Sequence, residues 1–224
     1  MAATINTNTY SLNAQRNLAK NSLGLASAIE RLSSGLRVNS ARDDASGLAR
    51  GMGLETTARA QAVSIRALSD TISDSETRDG AAGVLNDVLQ RMAELQAAPD
   101  AANNAEMGLL ATQAVALAGT GQANVAGVVS SITSASTSAV IAGAITSVAT
   151  QRATYGANMN NAEFSIQAGQ VAYANTMAAR GRIMDADFAV ETSNLSRFQV
   201  LQQAGTAMVA QANAIPQNVL ALLR

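Results

Sequence analysis

Two carboxylate pairs, Asp43 with Asp44 and Asp185 with Asp187, have the residue type and spacing that chemistry would need, since neighbouring acids can hold Mg²⁺ or do acid–base work. Both pairs fall where helices are expected to begin. There an acid favours the positive end of the helix dipole and accepts hydrogen bonds from free backbone amides, so capping is the expected role. Four guanidinium groups, Arg31, Arg37, Arg42 and Arg50, would suit an anion, but Glu30, Asp43 and Asp44 lie among them. Pairing between helices or between subunits is expected instead. Hydroxyls crowd the stretch Ser130, Ser131, Thr133, Ser134, Ser136, Thr137 and Ser138. Their composition suits a linker, with O-glycosylation at Ser131, Thr133, Ser134, Ser136 and Thr137 as the functional alternative.

The chain has no Cys and no His. Disulfides, thiolate metal sites and cysteine catalysis are thereby excluded, and neutral-pH acid–base and metal chemistry lose their commonest side chain. No cofactor and no enzymatic activity are expected. A net charge of −1 without a basic cluster argues against a nucleic-acid partner. Met1 to Lys20 contain no apolar core of a signal peptide, and no uninterrupted apolar run reaches the roughly 18 residues a membrane helix needs. Neither a cleaved export signal nor membrane insertion is therefore expected.

The 224 residues are 48% hydrophobic but only 3% aromatic, and there are two prolines. A core of Ala, Leu, Val, Ile and Met suits closely packed helices better than a β-sandwich. Spacing agrees. In the tail, Phe198, Leu201, Gly205, Met208, Ala212, Ile215, Val219 and Leu222 alternate gaps of three and four and so form one narrow stripe on a helix. Near the start, Leu18, Leu25, Ile29, Leu32 and Leu36 keep the same spacing, with Ser22 in the missing place. Two matching stripes at the two ends predict helices that pair.

Between them, a turn at 37–47 is followed by a helix from about Arg42 to Ala97, with Ser40 and Asp43 spaced as its capping box. Its stripe, Ile65, Leu68 and Ile72, resumes at Leu85, Leu89, Met92 and Leu95; Ser73 to Gly80 between them is polar all round and is expected to face solvent or another subunit. Pro99 stops this helix, and a shorter one should follow from about Ala105 to Ala118. Residues 124–138 read as a loop or small hairpin. Ile141, Ile145, Val148, Arg152, Tyr155, Met159, Ala162, Ile166, Gly169 and Tyr173 predict one long helix over 139–180, with a hinge at Gly181.

The stretch Glu30-Arg-Leu-Ser-Ser-Gly-Leu-Arg-Val-Asn-Ser-Ala-Arg-Asp-Asp-Ala-Ser-Gly47 resembles the N-terminal signature of bacterial flagellins. The tail resembles their C-terminal signature, with Ile183, Asp185, Asp187, Phe188, Leu201-Gln-Gln-Ala-Gly-Thr-Ala-Met208, Gln211-Ala-Asn213 and Ile215-Pro-Gln-Asn-Val-Leu220. The likeness covers about 1–98 and 150–224. It implies an all-α fold of long antiparallel helices: a terminal coiled-coil pair, the inner-tube domain D0, and a helical-bundle domain D1 with at most a short β-hairpin. The implied divisions are 1–41 and 182–224 for D0, 42–123 and 139–181 for D1, and a short loop at 124–138 where outer domains are absent.

The resemblance further implies a homopolymer, the swimming filament, built from subunits exported unfolded through the flagellar type III apparatus and found outside the cell. D0 packing would fall to Leu18, Leu25, Ile29, Leu32, Phe198, Leu201, Gly205, Met208, Ile215, Val219 and Leu222. An export chaperone on the C-terminal helix, hook–filament junction proteins and a cap protein are the implied partners. Leu89, Arg91, Glu94 and Leu95 match a surface through which many flagellins meet the innate receptor TLR5. An intracellular helical-hairpin scaffold shares the Ala, Ser and Gln richness; it would be a folded dimer with ordered ends.

Overall fold

A computed structural model of the chain describes residues 7–97, 101–119, 132–133 and 137–222, excepting the side chains of 101–102, 119 and 215–222. The fold is all-α. The helices are α1 (Thr9–Ser34), α2 (Ala45–Ala97), α3 (Ala101–Gly119), α4 (Ser138–Met184) and α5 (Phe188–Leu222), and the described residues contain no strand. The hairpin considered for 124–138 lies almost wholly outside the described residues, as do Ser131, Ser134 and Ser136.

Helix ends follow local chemistry. Asn8 opens α1 by accepting from the Ser11 amide at 3.1 Å. Gly35 closes it with φ +69, a left-handed geometry that needs no Cβ, and its amide donates to the Arg31 carbonyl. The start of α2 departs from the capping box expected at Ser40 and Asp43. Asp44 is the cap: its Oδ1 accepts from the Gly47 amide at 2.8 Å and its carbonyl accepts from Leu48. Asp43 instead closes the preceding turn, its Oδ2 accepting from the amide and hydroxyl of Ser40 at 3.0 Å. Those amide and hydroxyl donors hold both carboxyls below the ordinary aspartate value.

Two further expectations are corrected. Helix α2 runs unbroken through Gly80, and its polar stretch is not all solvent-facing: Ser75 is buried, and Asp79 receives two hydrogen bonds from Arg152 of α4, at 2.7 and 3.2 Å. Helix α4 continues through Gly181 to Met184, so the break falls at 185–187. Asp187 then caps α5, its Oδ1 accepting from Ala189 at 2.9 Å and Val190 at 3.3 Å.

The described residues divide into two units, Met1–Thr57 with Asn175–Arg224, and Ala58–Ala174. The chain passes from one unit to the other after Thr57 and after Ala174. The reason is packing, because the first turns of α2 stay with the end of α4: a Cβ on Gly51 would lie 2.6 Å from the Met184 sulfur, and Arg180 pairs with Glu55 at 3.4 Å.

In the first unit α1 and α5 run antiparallel. Their inner ends are stapled by backbone bonds, Arg37 amide to Met184 carbonyl at 2.7 Å and Ala186 amide to Gly35 carbonyl at 3.0 Å, with Val38 and Met184 buried beside them. In the second unit α2 and α4 run antiparallel and α3 packs across one end. There Ala82, Leu85, Leu89 and Met92 of α2 meet Ala111, Ala114 and Ala118 of α3 and Ile141, Ala144 and Val148 of α4, with Ile132 of the connection sealing the core. Alanine on α3 allows the three helices to approach closely where leucine would not fit.

Asp79 is a carboxyl of this unit held by a partner on the opposing helix. The Arg152 guanidinium donates to its carboxyl and holds it below the ordinary value of 3.8. A depressed carboxyl stabilises the fold above its unfolded value and loses that contribution as pH falls through the folded one. Hydrogen exchange over residues 58–97 and 140–174 should therefore quicken as pH is lowered below about 4, after correction for intrinsic rates. Asp79→Asn should weaken protection at neutral pH and flatten the acid limb; an unchanged limb would rule Asp79 out as its source.

Candidate functional site

Neither carboxylate pair forms a reaction centre. Asp43, Asp44 and Asp187 direct oxygens to backbone amides, and the backbone of Asp185 bridges to Leu36. Among the described residues no group of three or more acids stands close enough to hold a metal ion. The arginines are likewise occupied locally: Arg31 donates to Glu191 at 3.1 Å and Arg37 to the Ile183 carbonyl, while Arg42 and Arg50 are exposed.

What the structure concentrates instead is apolar surface along the α1–α5 pair. The seam on α1 takes Ser11, Ala14, Leu18, Ser22, Leu25, Ala28 and Leu32, so Ala28 occupies the place expected for Ile29, which is exposed. On α5 it takes Glu191, Leu195, Phe198, Gln202, Gly205, Val209 and Ala212. Leu201 and Met208, one residue off this phase, are exposed at its edge. Gaps of three-then-four and four-then-three both fit a run of apolar residues, and the structure selects the second phase on α5. Ile215, Val219 and Leu222 lie on the α5 backbone, their side chains outside the described set.

Polar clasps fix the pair's register. At one end Arg31 meets the nearly buried Glu191; at the other Asn8 donates to the Ala212 carbonyl at 2.8 Å and the Ser11 hydroxyl to Asn213 at 2.7 Å. In the middle Phe198 lies over Gly24 and Leu18 over Gly205: a Cβ would sit 2.6–3.1 Å from the Phe198 ring carbons and 3.0 Å from Leu18 Cδ1. Sequence reasoning had not singled out Gly24 or Glu191. Their signal was position, a glycine and an acid standing in a seam of apolar residues.

Beside the seam runs a groove of about 370 Å³ whose walls include Tyr10, Asn17, Leu201, Ala204 and Met208. Further along the same helices Leu12, Leu23 and Val200 are exposed. A two-helix layer leaves such residues uncovered, and apolar surface of this extent marks an interaction site.

In the second unit Leu89 and Leu95 are buried in or beside the core, and their neighbours Arg91 and Glu94 are exposed. Arg91 donates to Glu94 and to Glu106 of α3, both at 3.2 Å, and these partners raise its pKa. Thr133 and Thr137 are exposed, and the Thr137 carbonyl accepts the amides that open α4.

Long helices, a terminal antiparallel pair and apolar side chains left outside it are the features of a structural subunit. The models of the bacterial flagellin N-terminal and C-terminal helical regions match residues 5–124 and 138–223. A flagellin of Xenorhabdus nematophila is 31% identical over the whole of both chains, and one of Halalkalibacterium halodurans is 32% identical over 98% of this chain and 99% of its own. A flagellin of Escherichia coli is 42% identical across 50% of this chain and 23% of its own length. The chain belongs to the bacterial flagellin family, whose members self-polymerise into the flagellar filament, an extracellular appendage, and are structural proteins.

The Gly24–Phe198 contact yields a prediction with a definite sign. Gly24→Ala alone should destabilise the α1–α5 pair by about 1–3 kcal/mol through overpacking. In a Phe198→Ala background the same change should stabilise by about 1 kcal/mol, the helix preference of Ala over Gly. Denaturant melts of all four proteins after assembly complete the cycle, and additive effects would show that the ring does not rest on Gly24.

Proposed function

We propose that the α1–α5 pair is the inner-tube element of the filament and the second unit its surrounding layer, and that the residues left exposed on the pair are covered by neighbouring subunits. The observation that carries this is the set of large apolar side chains, Leu12, Leu23, Ile29, Val200, Leu201 and Met208, exposed on the α1–α5 helix pair. Inter-subunit packing then extends the seam of Leu18, Leu25, Leu32, Phe198 and Gly205 outward through Ile29, Leu201 and Met208. Before assembly that surface needs cover or stays unfolded, which suits delivery as an unfolded chain through the flagellar type III apparatus with a chaperone on α5. Junction and cap proteins at the two filament ends would meet the same helices.

A receptor contact has a narrower basis. With Leu89 and Leu95 inside the core, the part that a receptor such as TLR5 could touch is Arg91 with Glu94 and Glu106. Those ion pairs lie in water and contribute little to stability. Their value would be in recognition.

Limited proteolysis with mass spectrometry, before and after precipitant-induced polymerisation, tests the assembly reading. Both ends should be clipped in the monomer to near Arg42 and Gly181 and resist cleavage in the polymer. Ends that already resist in a non-polymerising dimer would favour the scaffold reading. Gly205→Leu adds four carbons where even a Cβ would be 3.0 Å from Leu18, so it should impair polymerisation. Normal filaments from that variant would count against the close approach of α1 and α5 there.

A further inference from the structure

Several glycines inside the helices of this chain have a packing reason: Gly24, Gly51, Gly169 and Gly205 each face a larger side chain. Gly80 of α2 and Gly156 of α4 have none. A Cβ at either would meet no heavy atom within 4 Å, and neither has the positive φ that calls for glycine. A glycine inside a helix adds backbone freedom that folding must remove, so each of these weakens its own helix with no contact in return.

The two also stand together. A Cβ on Gly169 would lie 3.2 Å from Ile65 Cγ1, and one on Gly83 would lie 4.0 Å from Arg152 Cζ. In an antiparallel pair those two approaches set Gly80 level with Thr154 and Tyr155, and Gly156 level with Arg78 and Asp79. The glycines are therefore less than one turn apart along the pair. Gly143 has similarly open surroundings but stands by itself near the start of α4.

The same level interrupts the apolar packing of the unit. To one side lie Ala82, Leu85 and Leu89 with Ile141, Ala144 and Val148, under α3; to the other lie Ile65, Leu68 and Ile72, with Ala162 and Ile166 on α4. Between them come Ser73 to Gly80, with Ser75 buried and Asp79 paired to Arg152, while α4 contributes the buried Tyr155. The Thr77 hydroxyl donates to the Ser73 carbonyl at 2.9 Å, and those of Thr150 and Thr154 donate to the Thr146 and Thr150 carbonyls at 2.9 and 3.0 Å. Each such bond competes for a carbonyl of the helical ladder, which loosens the turn and favours bending.

We infer that Gly80 and Gly156 form a flexible joint across the second unit, at which the end covered by α3 tilts as one body against the segment carrying Ile65, Leu68, Ile72 and Ile166. The Asp79–Arg152 pair bridges the two helices there and holds their register while they bend. Two features favour a joint over two unrelated glycines. One weakened helix would be braced by an intact partner, whereas here both are weakened at one height. Alanine would fit at both positions without displacing a neighbour, so packing does not account for glycine at either. The joint belongs to the single subunit and operates in the free chain.

Because the chain has no cysteine, nitroxide labels can be placed singly and read without background. Ala149 and Gln167 are exposed on α4, on either side of Gly156. They lie about five turns apart, so labels at Ala149→Cys and Gln167→Cys share one side of the helix at an axial distance of about 27 Å, and tilting alters their spacing directly. The full-length chain should give a broader distance distribution than the same pair in a Gly80→Ala/Gly156→Ala background. Neither alanine meets a neighbour, so the background keeps the fold. Equal widths in the two proteins overturn the inference.

Hydrogen exchange gives the second reading. The paired alanines should slow the amides of 76–84 and 152–160 about fivefold or more, as the helix preference of Ala over Gly acts on a local opening, and should slow those of 85–92 far less. Slowing spread evenly over 58–97 and 140–174 would show general helix stabilisation without a joint, and so would overturn the inference as well.

Discussion

A helix in a two-helix layer covers one stripe of its circumference and leaves the rest uncovered, and most of what this chain does follows from that constraint. Its α1–α5 pair half-buries Leu18, Leu25, Phe198 and Val209, enough to set a register, but leaves Leu12, Leu23, Val200 and Met208 outside. In a monomeric globular protein a third layer would cover them. Among the described residues such a layer stands only at one end of the second unit, where α3 completes a core of fully buried Leu85, Leu89, Met92, Ile141 and Val148. That end can hold itself together, and the rest of the described chain has apolar surface to share with other copies.

Register comes from polar groups set at the ends of the apolar seams. Arg31 with Glu191, and Asn8 and Ser11 with the α5 backbone and Asn213, bracket the first pair; Arg152 with Asp79 marks the second. None of these is a large source of stability, since each pair has one partner in contact with water. Their effect is selective. A slip of one helical turn would leave the nearly buried Glu191 without its guanidinium, and a buried unpaired carboxylate is far costlier than the contact is favourable.

Much of this was legible in the sequence. The period of apolar residues located the five described helices, because a 3.6-residue repeat over several turns admits little else. Phase was harder: on α5 both Leu201 and Gln202 complete a plausible stripe, and the choice of Gln202 depends on where Gly24 lets Phe198 approach on the partner helix. Ends were misread for a related reason. Ser40, Asp43 and Asp44 all suit a cap, and what decides for Asp44 is that Ser40 and Asp43 are already engaged with each other in the turn. Ser75 and Asp79 read as surface because polarity was counted without a partner, and Arg152 supplied one from 73 positions away. The surface patch expected at residues 89–95 loses its two leucines to the core because α3 covers that side of α2. The sequence there is periodic for both roles.

The small side chains that fill these seams also explain why the family's polymer and this chain's folding use the same physics. Gly24, Gly51, Gly169 and Gly205 each face a larger side chain on the opposing helix, Phe198, Met184, Ile65 and Leu18. At such points a Cβ would force displacement, so specificity lies in shape, and dispersion at close range is its energy. Interfaces of this kind fall off steeply with separation and carry few ion pairs to hold one register alone. Neighbouring registers of packed helices then differ by little, which is the property a tube must have if its subunits are to pack in more than one way around its circumference.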